Sequence, residues 1–279
     1  MTTLTPTMQD QALLSLSMDA KKQGPKQAKP SVSSKKKRVG PVITTVPRRC
    51  RKNIELFFHN LKHKQDILEQ YRKDWGDKIK PKSDLGKLNR WRFAFCTVHT
   101  PWLYSCLQYL DVRNIYESSL EGFIEKLGYS SGGMYKIKGE GIYNLQNLWH
   151  NSPELFSLSE LSSRKEWQTA RNRLTKKLTK LGLAKTSFAI EMLQPLKAKV
   201  ICIDRHMFKT FGWENVDKSA SHKQYEYFEN YWLDLCEEHN VEPAISRNYY
   251  WDIIQQQPSS MYWGEYLKDY DYIIHTTRN

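Results

Sequence analysis

Apolar side chains recur along most of the chain at the three- and four-residue spacing of amphipathic helices. Ile54, Phe57, Phe58 and Leu61 open the first such stretch, which predicts a helix from about residue 53 to Trp75, before the polar segment GDKIKPKS. With Gly and Pro residues as boundaries, the same spacing predicts further helices over about 84–98, 102–111, 119–127, 140–150, 163–180, 185–193, 222–239 and 246–255. The pattern is typical of an all-α domain.

One short stretch departs from helical spacing. Residues 199–203 read KVICI, and their β-branched side chains favour a buried β-strand. Because we find no second strand that could pair with it, we still predict a mainly α fold. We detect no internal repeat.

Residues 1–48 differ from the rest in composition, being rich in Gln, Ser, Thr, Pro and Lys and nearly free of aromatic side chains. Such a segment buries too little apolar surface to offset its chain entropy. We therefore predict a disordered basic tail over 1–48 and a folded domain over 49–279. Within the tail, SSKKKRVGP indicates either a nuclear-localisation signal or a solvated arm that binds nucleic acid without sequence preference.

The formal charge of +13 indicates a polyanionic partner, and its distribution is uneven. Residues 1–52 hold 12 Lys/Arg against 2 Asp/Glu, which leaves +3 for residues 53–279. The chain has no apolar run long enough for an ordinary membrane span and no secretory signal, so we expect a cytosolic or nuclear protein that does not contact membranes. Its 5 cysteines form no metal-ligand spacing, so we expect free thiols, no metal and no cofactor.

The segment RKEWQTARNRLTKKLTKLGLAKTSFAIEML predicts two helices joined by a tight turn at residues 180–183. We expect Gly182 to take the positive φ that ends the first helix. The free backbone N–H groups at the start of the second helix would then form a phosphate site. Eight Lys/Arg and one acid, Glu166, lie between Arg164 and Lys185. By itself this pattern also fits an ordinary helical hairpin with solvated lysines.

Asp204 follows the apolar run in the segment CIDRHMFKTFG, directly before an amphipathic helix with Met207, Phe208 and Phe211 as its apolar positions. It is therefore expected to be the N-cap of that helix. Capping is compatible with catalysis, because the positive end of a helix holds a carboxylate ionised and oriented.

Together these segments resemble the helix-hairpin-helix DNA glycosylases, the superfamily that includes endonuclease-III-like and 8-oxoguanine glycosylases. The family pattern is a hairpin of the type LPGVGxKTA followed by VDTHhxR, and here the two segments read LTKLGLAKTSFA and CIDRHMFKTFG. RWRFAFCTVHTPWLYSCLQYL is similar to the early helix pair of that fold. The resemblance covers residues 53–279 and implies a two-lobed all-α helix-hairpin-helix glycosylase fold, acting as a monomer on double-stranded DNA.

The resemblance also implies roles for individual residues. Asp204 would be the catalytic carboxylate and Lys185 the nucleophilic amine. The DNA-binding residues would be Lys176, Lys177, Lys180, Leu181, Gly182, Leu183, Thr186 and His206.

The sequence departs from the family pattern in the hairpin. Lys180 stands where the family has its first glycine, and the interval from Gly182 to Lys185 is one residue longer. If the glycine sets the register, Ala184 takes the place of the lysine and Lys185 only contacts a phosphate, which removes the lyase chemistry.

We therefore expect a DNA glycosylase that flips a base out of the duplex and cleaves its N-glycosidic bond, with AP-lyase activity if Lys185 attacks. The base pocket needs aromatic walls, and we expect RNYYWDII to pack in the core instead. The aromatic candidates, none of which the pattern assigns, are Trp91, Trp102, Tyr104, Trp149, Trp213, Tyr249, Tyr250 and Trp251. Two alternatives stay open: a glycosylase-fold transferase that modifies DNA thymines, as some viral proteins do, and a non-catalytic DNA-binding protein.

Overall fold

The computed structural model describes residues 45–113, 115, 118–130, 132–213, 221–256 and 261–267. Within these ranges all regular secondary structure is helical, which confirms the all-α prediction. Most of the predicted tail, residues 1–44, lies outside them. Val46 is already buried in the core, and the first helix begins at Arg48.

The described helices agree closely with the predicted ones. They are α1 (Arg48–Leu61), α2 (Gln65–Asp74), α3 (Asp84–Cys96), α4 (Trp102–Val112), α5 (Leu120–Tyr129), α6 (Tyr135–Asn151), α7 (Arg164–Lys177), α8 (Leu183–Leu193), α9 (Arg205–Thr210), α10 (His222–Glu238), α11 (Pro243–Ile254) and α12 (Met261–Gly264). A π-helical turn, Trp75–Ile79, extends α2, and short 3-10 turns cover Pro153–Phe156 and Glu265–Leu267.

The first predicted helix is wrong in one respect, because the structure divides it into α1 and α2. Lys64 leaves the helical region, with φ −127° and ψ 29°. The apolar spacing continues across this break, since Phe58 and Leu61 are buried before it and Leu68 after it. The apolar spacing alone therefore does not reveal that the helix is interrupted at Lys64.

The helices pack in two groups. In one, α3 contacts α4, α6 and α8, while α5 packs on α4 and α6 and α7 packs on α8. In the other, α11 contacts α2, α9 and α10, and α10 also contacts α1. Glycine permits close approach in the first group, because a Cβ at Gly141 of α6 would lie 2.4 Å from a ring carbon of Phe95 in α3.

The predicted strand at residues 199–203 is not formed; the segment is extended and has no strand partner among the described residues. Buried side chains from helices take the place of a neighbouring strand and satisfy the backbone. The hydrogen bonds are Ile201 N to Glu229 Oε1 (3.1 Å), Cys202 N to Glu191 Oε1 (2.9 Å), Ile203 N to Tyr225 Oη (3.1 Å) and Tyr225 Oη to Ile201 O (2.6 Å).

Two buried ion pairs hold the carboxylates that bind this segment. Arg171 of α7 donates to both oxygens of Glu229 at 3.0 Å, and Arg247 of α11 donates through Nε to Glu191 Oε1 at 3.1 Å. Both ion pairs are bidentate, a geometry that suits buried guanidinium and carboxylate groups. The chain leading to Asp204 is thereby fixed to α7, α8, α10 and α11.

The five cysteines carry free thiols. No cluster of three or more His, Cys, Asp or Glu side chains that could hold a metal ion occurs among the described residues. In the same part of the chain, every helix is too short or too polar to cross a membrane.

Candidate active-site cleft

The hairpin turn connects α7 to α8 through residues 178–182, and its backbone differs from the prediction. Lys180 takes the positive φ, at 68°, whereas Gly182 has φ −83° and ψ 173° and is the N-cap of α8. The expectation for Gly182 is thus wrong. The left-handed residue comes two positions earlier, where the resembling family has its first glycine, and it lies between the buried side chains of Leu178 and Leu181.

Helix α6 contacts the turn through two polar side chains. The Thr179 N–H donates to Asn144 Oδ1 at 3.0 Å, and Lys180 Nζ lies 3.1 Å from Glu140 Oε2. A Cβ at Gly182 would meet no atom within 4 Å, so the space beside this residue is open. The first amides of α8 have no acceptor within the helix, and Gly182 provides no side chain to cap them.

The basic patch on the hairpin is smaller than the sequence count suggests. Arg171 is fully buried against Glu229, and Arg164 binds Asp234 and Glu237. The exposed basic side chains on α7 are Lys165, Arg173, Lys176 and Lys177.

The predicted DNA-binding residues fall into three classes of exposure. Lys176, Lys177, Lys180 and Gly182 are exposed, and Leu183 and His206 are partly exposed. Leu181 and Thr186 are buried. A contact from either of these two would have to come from its backbone.

Asp204 is the N-cap of α9, as expected. Its Oδ1 accepts the backbone N–H groups of His206 and Met207, each at 3.0 Å. Its Oδ2 accepts a hydrogen bond of 3.0 Å from the indole N–H of Trp251, which lies on α11. The carboxylate is half-buried and is held by three N–H donors.

Asp204 and Lys185 line the same small cleft. The other lining residues are Trp102, Phe188, Cys202, Arg247, Asn248, Trp251 and Trp263. Lys185 Nζ lies 5.6 Å from the centre of the Phe188 ring. The two residues for which sequence reasoning suggests chemistry are therefore brought together, and mainly aromatic walls surround them.

The walls include residues that the sequence reasoning missed. Of the aromatic candidates, Trp102 and Trp251 line the cleft, the latter from the segment expected only to pack; Trp263 was not a candidate. Trp263 lies nearly parallel to Trp102, with centroids 5.4 Å apart and planes at 10°. Arg247 and Trp251 are four residues apart on α11, so helical spacing could have placed them on one face.

Cys202 also lines the cleft, but the residue is only 3% exposed. Burial raises the pKa of this thiol to about 12. Since the thiolate is the nucleophilic form of cysteine, Cys202 is a wall of the cleft and not a reacting group.

Comparison with solved structures finds chains of similar fold, among them the following three. The 8-oxoguanine DNA glycosylase of Methanocaldococcus jannaschii aligns with a TM-score of 0.60 and 18% identity, over 75% of this chain and 97% of that chain. The M. jannaschii 8-oxoguanine glycosylase/lyase in complex with a 15mer DNA containing 8-oxoguanine aligns at 0.59 and 18%, over 73% and 98%. The 8-oxoguanine DNA glycosylase of Thermotoga maritima aligns at 0.59 and 14%, over 76% and 100%.

No protein-family model and no curated protein sequence matches the chain. At 14 to 18% identity the structural similarity is one of fold. The described chain thus has the helical fold of these DNA glycosylases.

Proposed function

We propose that this protein is a DNA glycosylase that extrudes a base from duplex DNA and hydrolyses its N-glycosidic bond. The observation that carries the proposal is the shared cleft of Asp204 and Lys185, which brings a carboxylate held by three N–H donors and an amine together among mainly aromatic walls. Fold similarity alone would not carry it, because one fold serves many functions.

The hairpin is suited to hold the DNA backbone. The free amides at the start of α8 and the exposed Lys176 and Lys177 provide donors and positive charge for phosphates. The amides precede Lys185 directly on α8, and Lys176 and Lys177 precede the turn at the end of α7. A strand bound at the hairpin would therefore place one of its sugars near the mouth of the cleft.

Asp204 would act on that sugar. As the bond from C1′ to the base breaks, the base leaves with the electron pair, and positive charge develops on the deoxyribose. The fixed carboxylate stabilises this charge. It also accepts a proton from the attacking water as the new C1′–O bond forms, while the departing base is protonated by solvent.

Lys185 offers a second route. If its amine attacks C1′ in place of water, a C1′–N bond forms as the base leaves, and opening of the sugar ring gives a Schiff base that allows strand cleavage. Its position in the cleft beside Asp204 supports this role over that of a remote phosphate contact.

The cleft has to open for a base to enter. A water-sized sphere can occupy only about 10 Å³ of it, which is the space of one water molecule. Trp263 packs among the aromatic walls of the cleft, since it is 1% exposed and its ring lies close to those of Phe93, Trp102 and Phe188. Base binding would therefore displace Trp263 or the wall opposite it.

The test is a panel of duplexes carrying normal and modified bases, with the products read by mass. A glycosylase leaves an abasic site, a transferase leaves a heavier intact nucleoside, and a DNA-binding protein leaves the duplex unchanged. Asp204→Asn, which keeps a capping side chain, should retain DNA affinity but lower base release by orders of magnitude. The matched control is Asp84→Asn on the exposed surface of α3.

Borohydride trapping separates the two routes. If Lys185 attacks, a covalent adduct should form with the wild-type protein and with Lys177→Ala, and none with Lys185→Ala. An adduct that survives Lys185→Ala would exclude this lysine as the nucleophile. Base release without any adduct would indicate water as nucleophile and a phosphate role for Lys185.

A further inference from the structure

We propose that Trp251 is a positioning residue that fixes Asp204 and determines which carboxylate oxygen faces the reacting sugar. The inference rests on the proposed function and deepens it. Its starting point is the indole N–H of Trp251, which donates to Asp204 Oδ2 at 3.0 Å from a different helix.

The number of hydrogen bonds at the carboxylate defines what remains free. An ionised carboxylate has about four acceptor sites, two on each oxygen. At Asp204 the amides of His206 and Met207 occupy Oδ1, and Trp251 occupies one site of Oδ2. The second site of Oδ2 is left for the cleft, so Oδ2 is the oxygen that would take a proton from water or stabilise the sugar.

The capping amides hold only one of the two oxygens. Both of them bind Oδ1, so small rotations about χ2, a torsion with broad wells, would shift Oδ2 at little cost if Oδ2 had no donor of its own. The third bond, made to Oδ2 from α11, restricts that movement. The indole N–H is also a donor that neither gains nor loses a proton in the ordinary pH range, so it does not compete with Asp204 as acid or base.

Trp251 is itself held in place. It is buried, and its ring meets Trp102 edge-on with centroids 5.8 Å apart and planes at 89°. One turn earlier on α11, Arg247 is bound to Glu191, whose carboxylate also accepts the Cys202 N–H two residues before Asp204. Helix α11 therefore positions both the backbone that carries Asp204 and the plane of its carboxylate.

The test compares Trp251→Phe with Trp232→Phe. Both substitutions keep a buried aromatic ring and remove one indole hydrogen bond, but Trp232 donates to Ser246 and does not line the cleft. In single-turnover assays at saturating DNA we expect Trp251→Phe to release base about 10- to 100-fold more slowly, the loss expected for one hydrogen bond to a charged group. Its Kd for DNA should stay within about twofold, and Trp232→Phe should keep the wild-type rate.

A spectroscopic measurement tests the same contact without activity. In ¹H–¹⁵N spectra the indole resonance of Trp251 should move in Asp204→Asn, since its acceptor loses the charge, while that of Trp232 stays in place. Wild-type rates in Trp251→Phe, or an unmoved Trp251 resonance in Asp204→Asn, would overturn the inference. Absence of base release by the wild-type protein would overturn the proposed function instead, and the indole resonance would still report on the contact.

Discussion

At the scale of single residues, the hairpin contains a conformation that its sequence does not favour. Lys180 has φ 68°, in the left-handed region where a side chain costs about 1 kcal/mol relative to glycine. Its ion pair with Glu140 offsets little of this, since both side chains are 45% exposed and exposed pairs contribute about 0–1 kcal/mol. The positive charge at this position therefore comes with backbone strain, which is consistent with a role outside folding.

Lys180→Gly should accordingly raise the free energy of unfolding, by about 0.5–1 kcal/mol, because glycine adopts this φ without strain. Thermal or urea unfolding measures the change. Lys180→Ala is the matched control, since it removes the same ion pair but keeps a Cβ at the strained position. It should be no more stable than the wild-type protein, and equal stabilities of the Gly and Ala variants would argue against strain at this residue.

At the scale of elements, the hairpin has a supported side and an open side. Helix α6 contacts the turn through Glu140, Gly141 and Asn144, whereas the space beside Gly182 is empty. Substitution by alanine should therefore have different effects at Gly182 and at Gly141.

Gly182→Ala should fold with a loss of about 1 kcal/mol at most, the difference between glycine and alanine as N-cap. Its new methyl group would occupy the space proposed for the DNA strand, so we expect DNA affinity to fall about tenfold, equivalent to about 1.4 kcal/mol. Titration with labelled duplex measures this.

Gly141→Ala is the counterpart on the supported side. Its Cβ would lie 2.4 Å from Phe95 and 3.2 Å from the carbonyl oxygen of Thr179, so the variant should be destabilised by about 1–3 kcal/mol through overpacking. Unchanged DNA binding in Gly182→Ala would show that the strand does not approach the turn.

Local sequence predicted the helices well, but it did not predict which side chains far apart in the chain would be hydrogen-bonded to each other. Helical spacing and the cap at Asp204 depend on neighbours within one or two turns, so both could be read from the chain. The strand predicted at KVICI failed because residues far along the chain, Glu229 and Glu191, take the hydrogen bonds that a neighbouring strand would make. Trp251 was missed as a partner of Asp204 for the same reason, since 47 residues separate them.

At the scale of the whole molecule, the cleft is assembled from both groups of helices. Trp102, Lys185 and Phe188 come from α4 and α8 in one group, and Arg247 and Trp251 from α11 in the other. The site therefore depends on the folded state of the entire described domain. Stability of that domain in turn depends on groups buried throughout it, several of which titrate in the alkaline range.

The four buried thiols lower the stability of the folded state above pH 9. Burial raises the pKa from 9.0 to about 12 at each of Cys96, Cys106, Cys202 and Cys236. Because these pKa values are higher in the folded than in the unfolded state, their stabilising effect is complete below pH 9 and is lost as the pH rises towards 12. At pH 10 the loss is about 1–2 kcal/mol for each thiol.

Lys138 changes stability with pH in the opposite direction to the thiols. Its Nζ is enclosed by Cys96 O, Thr100 Oγ1 and Gln108 Oε1, and burial lowers the pKa of its amine from 10.5 to about 8. Its contribution to stability therefore grows between pH 8 and pH 10.5. The gain from pH 7 to pH 10 is about 2–3 kcal/mol, smaller than the summed loss from four thiols.

We expect unfolding in reducing buffer to occur about 5–10 °C lower at pH 10 than at pH 7, from a net loss of about 3 kcal/mol. Cys106→Ala should shrink this difference, because one of the four thiols no longer titrates, and Lys138→Met should widen it by removing the opposing amine. Comparing the pH 7 and pH 10 midpoints within each variant removes the separate cost of the substitution. A midpoint that does not fall between pH 7 and pH 10 would mean that the thiols reach solvent in the folded protein, and that the core around Cys202 and Asp204 is more open than these contacts indicate.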